Sequence, residues 1–152
     1  MPIKYDEVMA LKNIGQKYSW TDREVMLYAI GIGMGADPMD EKELSFVNEG
    51  YYTPRELKVV PTYASVAAWG SGPGHIDVNR VMVVDGERDI TFHKPMPVKA
   101  NITADSRVLG VFDKGKDKGA VIRRETVLRD EAGDPLATLV ASQFARGDGG
   151  FG

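Results

Sequence analysis

An α+β fold, in which one curved antiparallel sheet wraps a central helix, is predicted by two features of the sequence. The first is a short, almost wholly apolar segment at residues 57–70, LKVVPTYASVAAWG, here called the central segment. Pro61 suits a first helical turn, and Gly70 ends the pattern. The second feature is a β-rich remainder of alternating segments divided by polar turns. Together these features indicate a hot-dog fold, with an ordinary α+β sandwich around one buried helix as the alternative.

The part of the sequence before the central segment predicts a short strand and a capped helix. Residues 1–14 are typical of an extended or weakly helical lead-in, and residues 16–20 alternate as a strand does. Thr21 and Glu24 have the spacing of a capping box, so a helix should begin there. It should end within GIGMGADP, residues 31–38. A second helical turn or loop and then a turn are predicted at residues 41–50 and 51–55.

The part after the central segment predicts antiparallel strands. A break at SGPG, residues 71–74, precedes them. Asp85-Gly86 is a strong hairpin dipeptide, so it should separate a strand at 75–85 from one at 87–93. Residues 94–97 form a turn bounded by prolines. The remaining strands, joined by short polar loops into a meander, are predicted at 101–112, 120–128 and 136–144.

The composition excludes several classes of protein and site. A chain of 152 residues suits one domain, and the formal net charge of −3 indicates no bulk affinity for nucleic acid or acidic membranes. With no cysteine and only two histidines, disulfides, thiol nucleophiles and histidine-rich metal sites are not expected. No apolar run reads as a signal peptide or a membrane span, and the final FG is not a peroxisomal signal. We therefore expect a cytoplasmic protein without a bound metal.

Three glycine-containing segments each allow a binding role and a structural role. GIGMG, residues 31–35, follows a helix and lacks the spacing of a dinucleotide fingerprint, so a helix end with close backbone packing is favoured. In DKGKDKG, residues 113–119, lysines alternate with acidic residues, which favours a solvated hairpin tip over a phosphate site. We expect residues 1–146 to form the domain. The tail at 147–152 resembles an interdomain linker, and a flexible tether is favoured over a binding loop.

Five segments of the sequence together resemble one known family. In chain order they are WTDREVMLYAIGIGMGADPMDEKELSFV, LKVVPTYASV, VVDGERDITFHKPMP, VFDKGKDKGAVI and GDGGFG. They resemble the N-terminal half of the two-domain enoyl-CoA hydratases 2, MaoC-like hydratases found for example in the peroxisomal multifunctional enzyme. The resemblance covers nearly the whole chain from Tyr18 onward. It implies one half of a double hot dog that hydrates trans-2-enoyl-CoA to (3R)-hydroxyacyl-CoA.

The resemblance also implies that the catalytic residues lie in the other half. There the family has the motif Asp-x-Asn-Pro-Leu-His, whose aspartate and histidine activate water and protonate the α-carbon. The equivalent region here is 31–38, with glycine about where the aspartate would be and no histidine. Pro61 removes one backbone N–H that could stabilise the enolate oxygen. We therefore expect this chain alone to lack the Asp/His dyad.

Three titratable residues remain as fallback catalytic candidates. Asp37 is the titratable group of the GIGMGADP region, but no histidine lies beside it in the sequence. His93 matches no catalytic position of the family, so a hydrogen-bonded structural role is favoured. His75 follows SGPG, and a solvent or interface role is favoured over catalysis. The VVDGER segment is interpreted as a hairpin turn with an ion pair, with an interface role as the alternative.

The family's N-terminal half contributes volume for the fatty acyl tail, and the resemblance implies the same role here. A cavity of adaptable shape would suit variable acyl chains, and methionine provides such adaptability. For any single residue of the set, plain core packing is the alternative. The substrate-binding candidates are Met26, Ile30, Ile32, Met34, Tyr63, Val66 and Trp69.

Three functions are left open by the sequence. The first is the substrate-accommodating half of an (R)-specific enoyl-CoA hydratase, which works with a catalytic hot-dog partner on another subunit or domain. The second is a homodimeric hydratase, dehydratase or thioesterase that acts on a CoA thioester. The third is a non-catalytic acyl-CoA-binding protein. No cofactor is expected besides the CoA of the substrate, and edge-to-edge pairing into a homodimer or heterodimer is expected. The acyl group, from fatty acid or steroid side-chain β-oxidation, is not specified.

Overall fold

Five antiparallel strands form one sheet in the computed structural model of this chain, which describes residues 3–50 and 56–152. The order across the sheet is first, third, fourth, fifth and second strand. The predicted antiparallel sheet is confirmed, whereas the turn predicted at 51–55 lies outside the described residues. In chain order the strands are β1 (Lys12–Trp20), β2 (Val83–Phe92), β3 (Ala100–Asp113), β4 (Ala120–Arg129) and β5 (Pro135–Ala145).

The helices are short, and the three α-helices all precede β2 in the chain. Among the described residues, none is long and apolar enough to cross a membrane. Two further segments, Pro61–Ser65 and Arg80–Met82, are 3₁₀ turns. The α-helices are α1 (Tyr5–Met9), α2 (Asp22–Gly31) and α3 (Glu41–Val47).

Helix α2 begins at the predicted capping box. The backbone N–H of Thr21 donates to Glu24 Oε2 at 2.7 Å, and the Thr21 hydroxyl donates to the same oxygen at 2.6 Å. These hydrogen bonds lower the pKa of Glu24. The helix ends at Gly31, and a Cβ on Gly35 would lie 2.7 Å from Val47 Cγ2. The predicted helix end is therefore confirmed, and the close packing is limited to Gly35, which lies against the Val47 side chain.

The central segment is not the α-helix that its sequence predicts. It begins at Pro61 as predicted, but Pro61–Ser65 is a 3₁₀ turn, and isolated turns continue to Gly70. The Ser65 hydroxyl donates to the carbonyl of Thr62 at 2.7 Å, the acceptor that an α-helix would offer to the N–H of Val66. The N–H of Val66 instead donates to the Tyr63 carbonyl at 2.9 Å, which tightens the turn.

Strand β2 corrects two predictions at once. Asp85-Gly86 lies inside this strand rather than in a hairpin turn, and the register shifts between Asp85 and Glu87 form a bulge. A Cβ on Gly86 would lie 3.2 Å from the Ser142 carbonyl oxygen, so glycine here permits close backbone approach. β2 pairs antiparallel with β5 instead of following a meander into β3. Residues 75–79, predicted as part of a strand, have no regular structure.

Two apolar clusters form the core, one toward each end of the sheet. The larger cluster is centred on Tyr63, whose ring makes edge contacts with Trp20 at 5.4 Å and with Tyr28 at 5.5 Å between centroids. Burial raises the pKa of Tyr63 to about 12. The larger cluster contains Trp20, Val25, Tyr63, Ala64, Ala67, Ala68, Met96, Ile102, Ala104, Leu128, Leu136 and Ala137. The smaller contains Ile3, Val8, Val108, Val111, Ala120, Ile122 and Ala145.

Asp113, at the end of β3, fastens the C-terminal segment to the β3–β4 hairpin. Its Oδ1 accepts the N–H of Gly150 at 2.8 Å, and its Oδ2 accepts those of Phe151 and Gly152 at 2.8 and 2.9 Å. These hydrogen bonds, with one from the hairpin loop, lower the pKa of Asp113 to about 2. Residues 114–118 are exposed at the hairpin tip, as predicted, whereas Gly119 at its end is buried. The tail is held against that tip and so differs from a flexible tether, while its linker role stays a prediction.

The Asp113→Asn variant should release this tail. Asparagine keeps the size of the side chain, but its amide NH₂ would face backbone N–H donors in place of one acceptor oxygen. We expect amide hydrogen exchange at Gly150 and Phe151 to accelerate at least about tenfold. The matched control, Asp117→Asn in the same loop, should leave these rates within about twofold. Unchanged amide exchange at Gly150 and Phe151 in Asp113→Asn would show that Asp113 does not hold the tail.

The tail should also respond to acid. The folded-state pKa of Asp113, about 2, lies below its ordinary value of 3.8, so the ionised form stabilises the folded tail. The stabilisation is fully present at a pH above 3.8, the ordinary pKa, and it is lost as the pH falls from there to the folded-state pKa of about 2. Exchange measured over this interval should therefore converge between the wild type and Asp113→Asn at its acid end.

Candidate functional site

The inner face of the sheet, which packs against the central segment, is apolar at both ends. At one end Leu128 of β4 lies between Ala104 of β3 and Ala137 of β5, and all three are buried. At the other end Val111 of β3 lies beside Ile122 of β4. The first end belongs to the larger apolar cluster and the second to the smaller one, so the residues in the middle of the face separate the two clusters.

A polar band crosses the middle of this inner face. Arg124 of β4 lies opposite Ala141 of β5, which in turn lies opposite Arg88 of β2. Because residues opposite each other in antiparallel strands point to the same side, both arginines belong to the inner face. The band consists of Ser106, Thr126, Arg124, Gln143, Asp85 and Arg88.

Part of the polar band is satisfied internally. Ser106 is fully buried, and its Oγ lies 2.9 Å from Thr126 Oγ1, so the two hydroxyls hydrogen-bond to each other. On the other side of the band, Arg88 Nη2 donates to Asp85 Oδ2 at 3.1 Å. The ion pair predicted for the VVDGER segment is thus present, although it lies within a strand rather than in a hairpin turn.

A cleft of about 700 Å³ separates the polar band from the central segment. Its volume is within the roughly 300–1,000 Å³ typical of small-molecule sites. Leu128 and Leu139 line its apolar side, and Ala64 and Ala68 of the central segment face them. Trp69, which is 76% exposed, lies at its rim. The small side chains of these two alanines leave room for this space.

Arg124 is the least paired of the charged groups in the cleft. Its side chain is half-buried, and a Cβ on Gly72 would lie 4.0 Å from its Nη1. Within residues 3–50 and 56–152, its guanidinium has no hydrogen-bond or ion-pair partner. Burial lowers the pKa of Arg124, an effect that the nearby charge of Asp85 opposes, and a guanidinium remains protonated at neutral pH.

A second cleft, of about 440 Å³, continues the first. Arg80, Arg124 and Gln143 line both spaces. His75 lies at the second cleft, where its Nδ1 accepts a hydrogen bond from Arg80 Nη2 at 3.1 Å. The two clefts together form a trough with Arg80 and Arg124 in its middle, Leu128 at one end and Ile122 at the other.

A family comparison identifies the domain. The model of the MFE-2 hydratase 2 N-terminal domain matches residues 18–147, which is most of the chain. The chain belongs to this family. Enoyl-CoA hydratase ChsH3 of Mycobacterium tuberculosis is 35% identical over 160 aligned positions, which cover 100% of this chain and 53% of that protein. This hydratase 2 N-terminal domain thus spans about half the length of the curated relatives it matches.

Solved structures show that the domain has the predicted hot-dog fold. A MaoC-like dehydratase from Phytophthora capsici superposes with a TM-score of 0.75 and 23% identity, covering 97% of this chain and 52% of that chain. A chain of the ChsH1–ChsH2 complex from Mycobacterium tuberculosis superposes with a TM-score of 0.63 and 10% identity, covering 92% of both chains.

The three fallback catalytic candidates are not brought together in the hydratase 2 N-terminal domain. Asp37 lies in the exposed turn after α2, where its Oδ1 accepts the N–H of Met39 at 2.8 Å. His93 lies at the end of β2, with its Nε2 2.9 Å from Thr138 Oγ1, a hydrogen bond of the predicted structural kind. His75 lines the second cleft. Among the described residues no group of His, Cys, Asp and Glu could hold a metal ion.

The residues proposed for an acyl-tail pocket are also scattered. Trp69 is the member of the set that lines the first cleft, of about 700 Å³. Tyr63 is buried in the larger cluster, and Val66 packs against it. Ile30 and Ile32 are more than half exposed on and just after α2. Met26 and Met34 are half-buried. A role for this set as a whole stays a prediction.

The inward-facing polar residues were missed by sequence reasoning. Within the predicted strand at 120–128, Arg124 and Thr126 have the same parity as Ile122 and Leu128, both of which are buried. Since alternate residues of a strand share one face, this parity places Arg124 on the core side. The signal was present, but finding it required knowing which parity faced the core.

Proposed function

We propose that this domain is the substrate-accommodating half of an (R)-specific trans-2-enoyl-CoA hydratase, and that a second hot-dog domain supplies the catalytic aspartate and histidine. The observation that supports this is the open cleft on the inner face, which the small residues Ala64 and Ala68 of the central segment line on one side. A hydratase half that binds the acyl group needs room, while it does not need its own acid and base.

Hydration of an enoyl thioester adds water across the double bond. It requires a base for the water, an acid at the α-carbon and hydrogen-bond donors at the thioester oxygen. Here Asp37, His75 and His93 share no hydrogen bond, and Pro61 at the start of the central segment has no N–H to donate. We infer that these groups come from the partner, and that this domain excludes water from the acyl chain along Leu128 and Leu139.

The free edge of β2 is the surface where we expect the partner domain. Among the described residues, β2 pairs only with β5, so its other side presents unpaired backbone groups. Val84 and Phe92 on this strand are 46% and 43% exposed, and Val81 just before it is 92% exposed. An exposed strand edge with apolar side chains is suited to pairing with a second sheet. Edge-to-edge pairing here would continue the sheet into the partner.

The proposal is tested by turnover of crotonyl-CoA and of a bulkier enoyl-CoA by the purified chain, together with its mass in solution. We expect no hydration above the uncatalysed rate for either substrate. Hydration at an enzymatic rate that Asp37→Asn, His75→Gln or His93→Gln abolishes would overturn it. Tight acyl-CoA binding with no turnover in the presence of a catalytic partner domain would also overturn it, and would indicate a binding protein.

A further inference from the structure

The trough on the inner face contains three arginines, which a plain alkyl tail would not need. Leu128 and Leu139 line one end, Ile76 and Ile122 line the other, and Arg124, Arg88 and Arg80 lie between them. Asp85 is the acidic residue that lines this trough, and its carboxylate is hydrogen-bonded to Arg88. The local charge of the trough is therefore positive.

Arg124 is the group in the trough that a ligand could pair. Its guanidinium is half-buried and has no hydrogen-bond or ion-pair partner among residues 3–50 and 56–152. A partly buried charge without a partner is unfavourable, so a ligand oxyanion that pairs it gains both the charge attraction and the hydrogen bonds. The planar guanidinium can donate two parallel hydrogen bonds to a carboxylate or phosphate.

We propose that Arg124, with Arg88 and Arg80 beside it, binds the oxyanion of an amphiphilic ligand whose apolar part lies along Leu139, above the buried Leu128. This inference rests on the proposed function, because it assumes that the ligand binds in the same cleft. The oxyanion is a carboxylate at the far end of the acyl chain or a phosphate of the nucleotide. Both groups accept paired hydrogen bonds from a guanidinium, and the titrations below distinguish them.

The test is calorimetric titration of the full chain with three probes. Decanoate provides a carboxylate on an apolar chain, adenosine 3′,5′-bisphosphate provides phosphates without an acyl chain, and decanol provides the apolar chain without charge. Arg124→Met removes the charge but keeps an extended side chain. Arg23→Met is the matched control, since Arg23 is exposed on α2 and lines neither cleft. Arg88→Gln is a second variant in the trough.

We expect at least one anionic probe to bind the wild type more tightly than decanol. For that probe, Arg124→Met should raise the Kd at least about tenfold, while Arg23→Met should change it by less than about twofold. If Arg124→Met weakens the binding of decanoate alone, the oxyanion is a carboxylate. If it weakens the binding of the bisphosphate alone, the oxyanion is a phosphate.

Equal binding of both anions to the wild type and to Arg124→Met, or binding of neither anion, would overturn the proposal. Thermal unfolding confirms that the variants fold, and Arg88→Gln should weaken binding in the same direction if Arg124→Met does not fold. Because no probe contains a thioester and no turnover is measured, failure here leaves the test of the hydratase function unaffected.

Discussion

Replacing Leu128 by alanine should lower the free energy of unfolding by about 2–5 kcal/mol. Leu128 is 0% exposed, and it lies between Ala104 and Ala137 on the inner face, beneath the central segment. Its neighbours there are already small, so they cannot fill the space that the lost atoms leave. Chemical denaturation measures the change, and the melting temperature should fall by roughly 4–20 °C for a domain of this size.

Leu109→Ala is the matched control for this prediction. The same atoms are removed, but Leu109 lies at the bulge of β3 and is 36% exposed. We expect a loss of less than about 1 kcal/mol, because much of this side chain is already in water. Equal losses for the two variants would show that the larger cluster does not pack beneath the central segment as described.

Gly119→Ala should be the most damaging substitution in the β3–β4 hairpin. Gly119 has a φ of +83°, and a Cβ there would contact the Ala145 carbonyl oxygen and lie 2.6 Å from Arg146 Cα. These are backbone atoms, so neither can move aside as a flexible side chain could. The left-handed conformation alone costs a residue with a Cβ about 1–2 kcal/mol, and displacement of the β5 end adds to that.

Gly115→Ala separates these two contributions. Gly115 lies in the same hairpin and has a φ of +100°, but a Cβ there would have nothing within 4 Å. It should therefore suffer only the conformational cost, and Gly119→Ala should be less stable than Gly115→Ala by at least about 1 kcal/mol in denaturant unfolding. Indistinguishable variants would mean that the hairpin does not approach the end of β5 as closely as described.

Local signals in the sequence were sufficient for much of the fold. The capping box at Thr21 placed the start of α2, and the glycines after it placed its end. Alternating polarity located β3, β4 and β5 to within one or two residues. These signals succeed because a cap, a left-handed glycine and a strand's alternation each depend on neighbours in the chain.

Pairing between distant segments could not be predicted in the same way. Asp85-Gly86 has the local preference of a hairpin, yet pairing of β2 with β5 keeps it extended as a bulge. The 3₁₀ turn found where a helix was expected is accompanied by a local contact instead, the hydrogen bond from the Ser65 hydroxyl to the Thr62 carbonyl. At β2, pairing with a strand distant in sequence outweighs the local preference.

The candidate site was predicted less well than the fold. The lack of an Asp/His pair, expected from residues 31–38, stays a prediction, and the cleft lies elsewhere, between the central segment and β4. Its distinctive residue, Arg124, becomes visible only when the sheet shows which face it occupies. The candidate site is a face assembled from β2, β4 and β5, and no single stretch of sequence contains that face.

We infer that this domain accommodates substrate for a catalytic partner domain. The most direct test of that role is the kcat/KM of a protein in which the two domains are fused. The full chain is joined after Gly152 to a hot-dog domain that contains Asp-x-Asn-Pro-Leu-His, and enoyl-CoA hydration is compared with that of each part alone. We expect the fusion to exceed the sum of its parts at least about tenfold for a bulky enoyl-CoA. A fusion no more active than the catalytic domain alone, or hydration by this chain alone, would contradict the account.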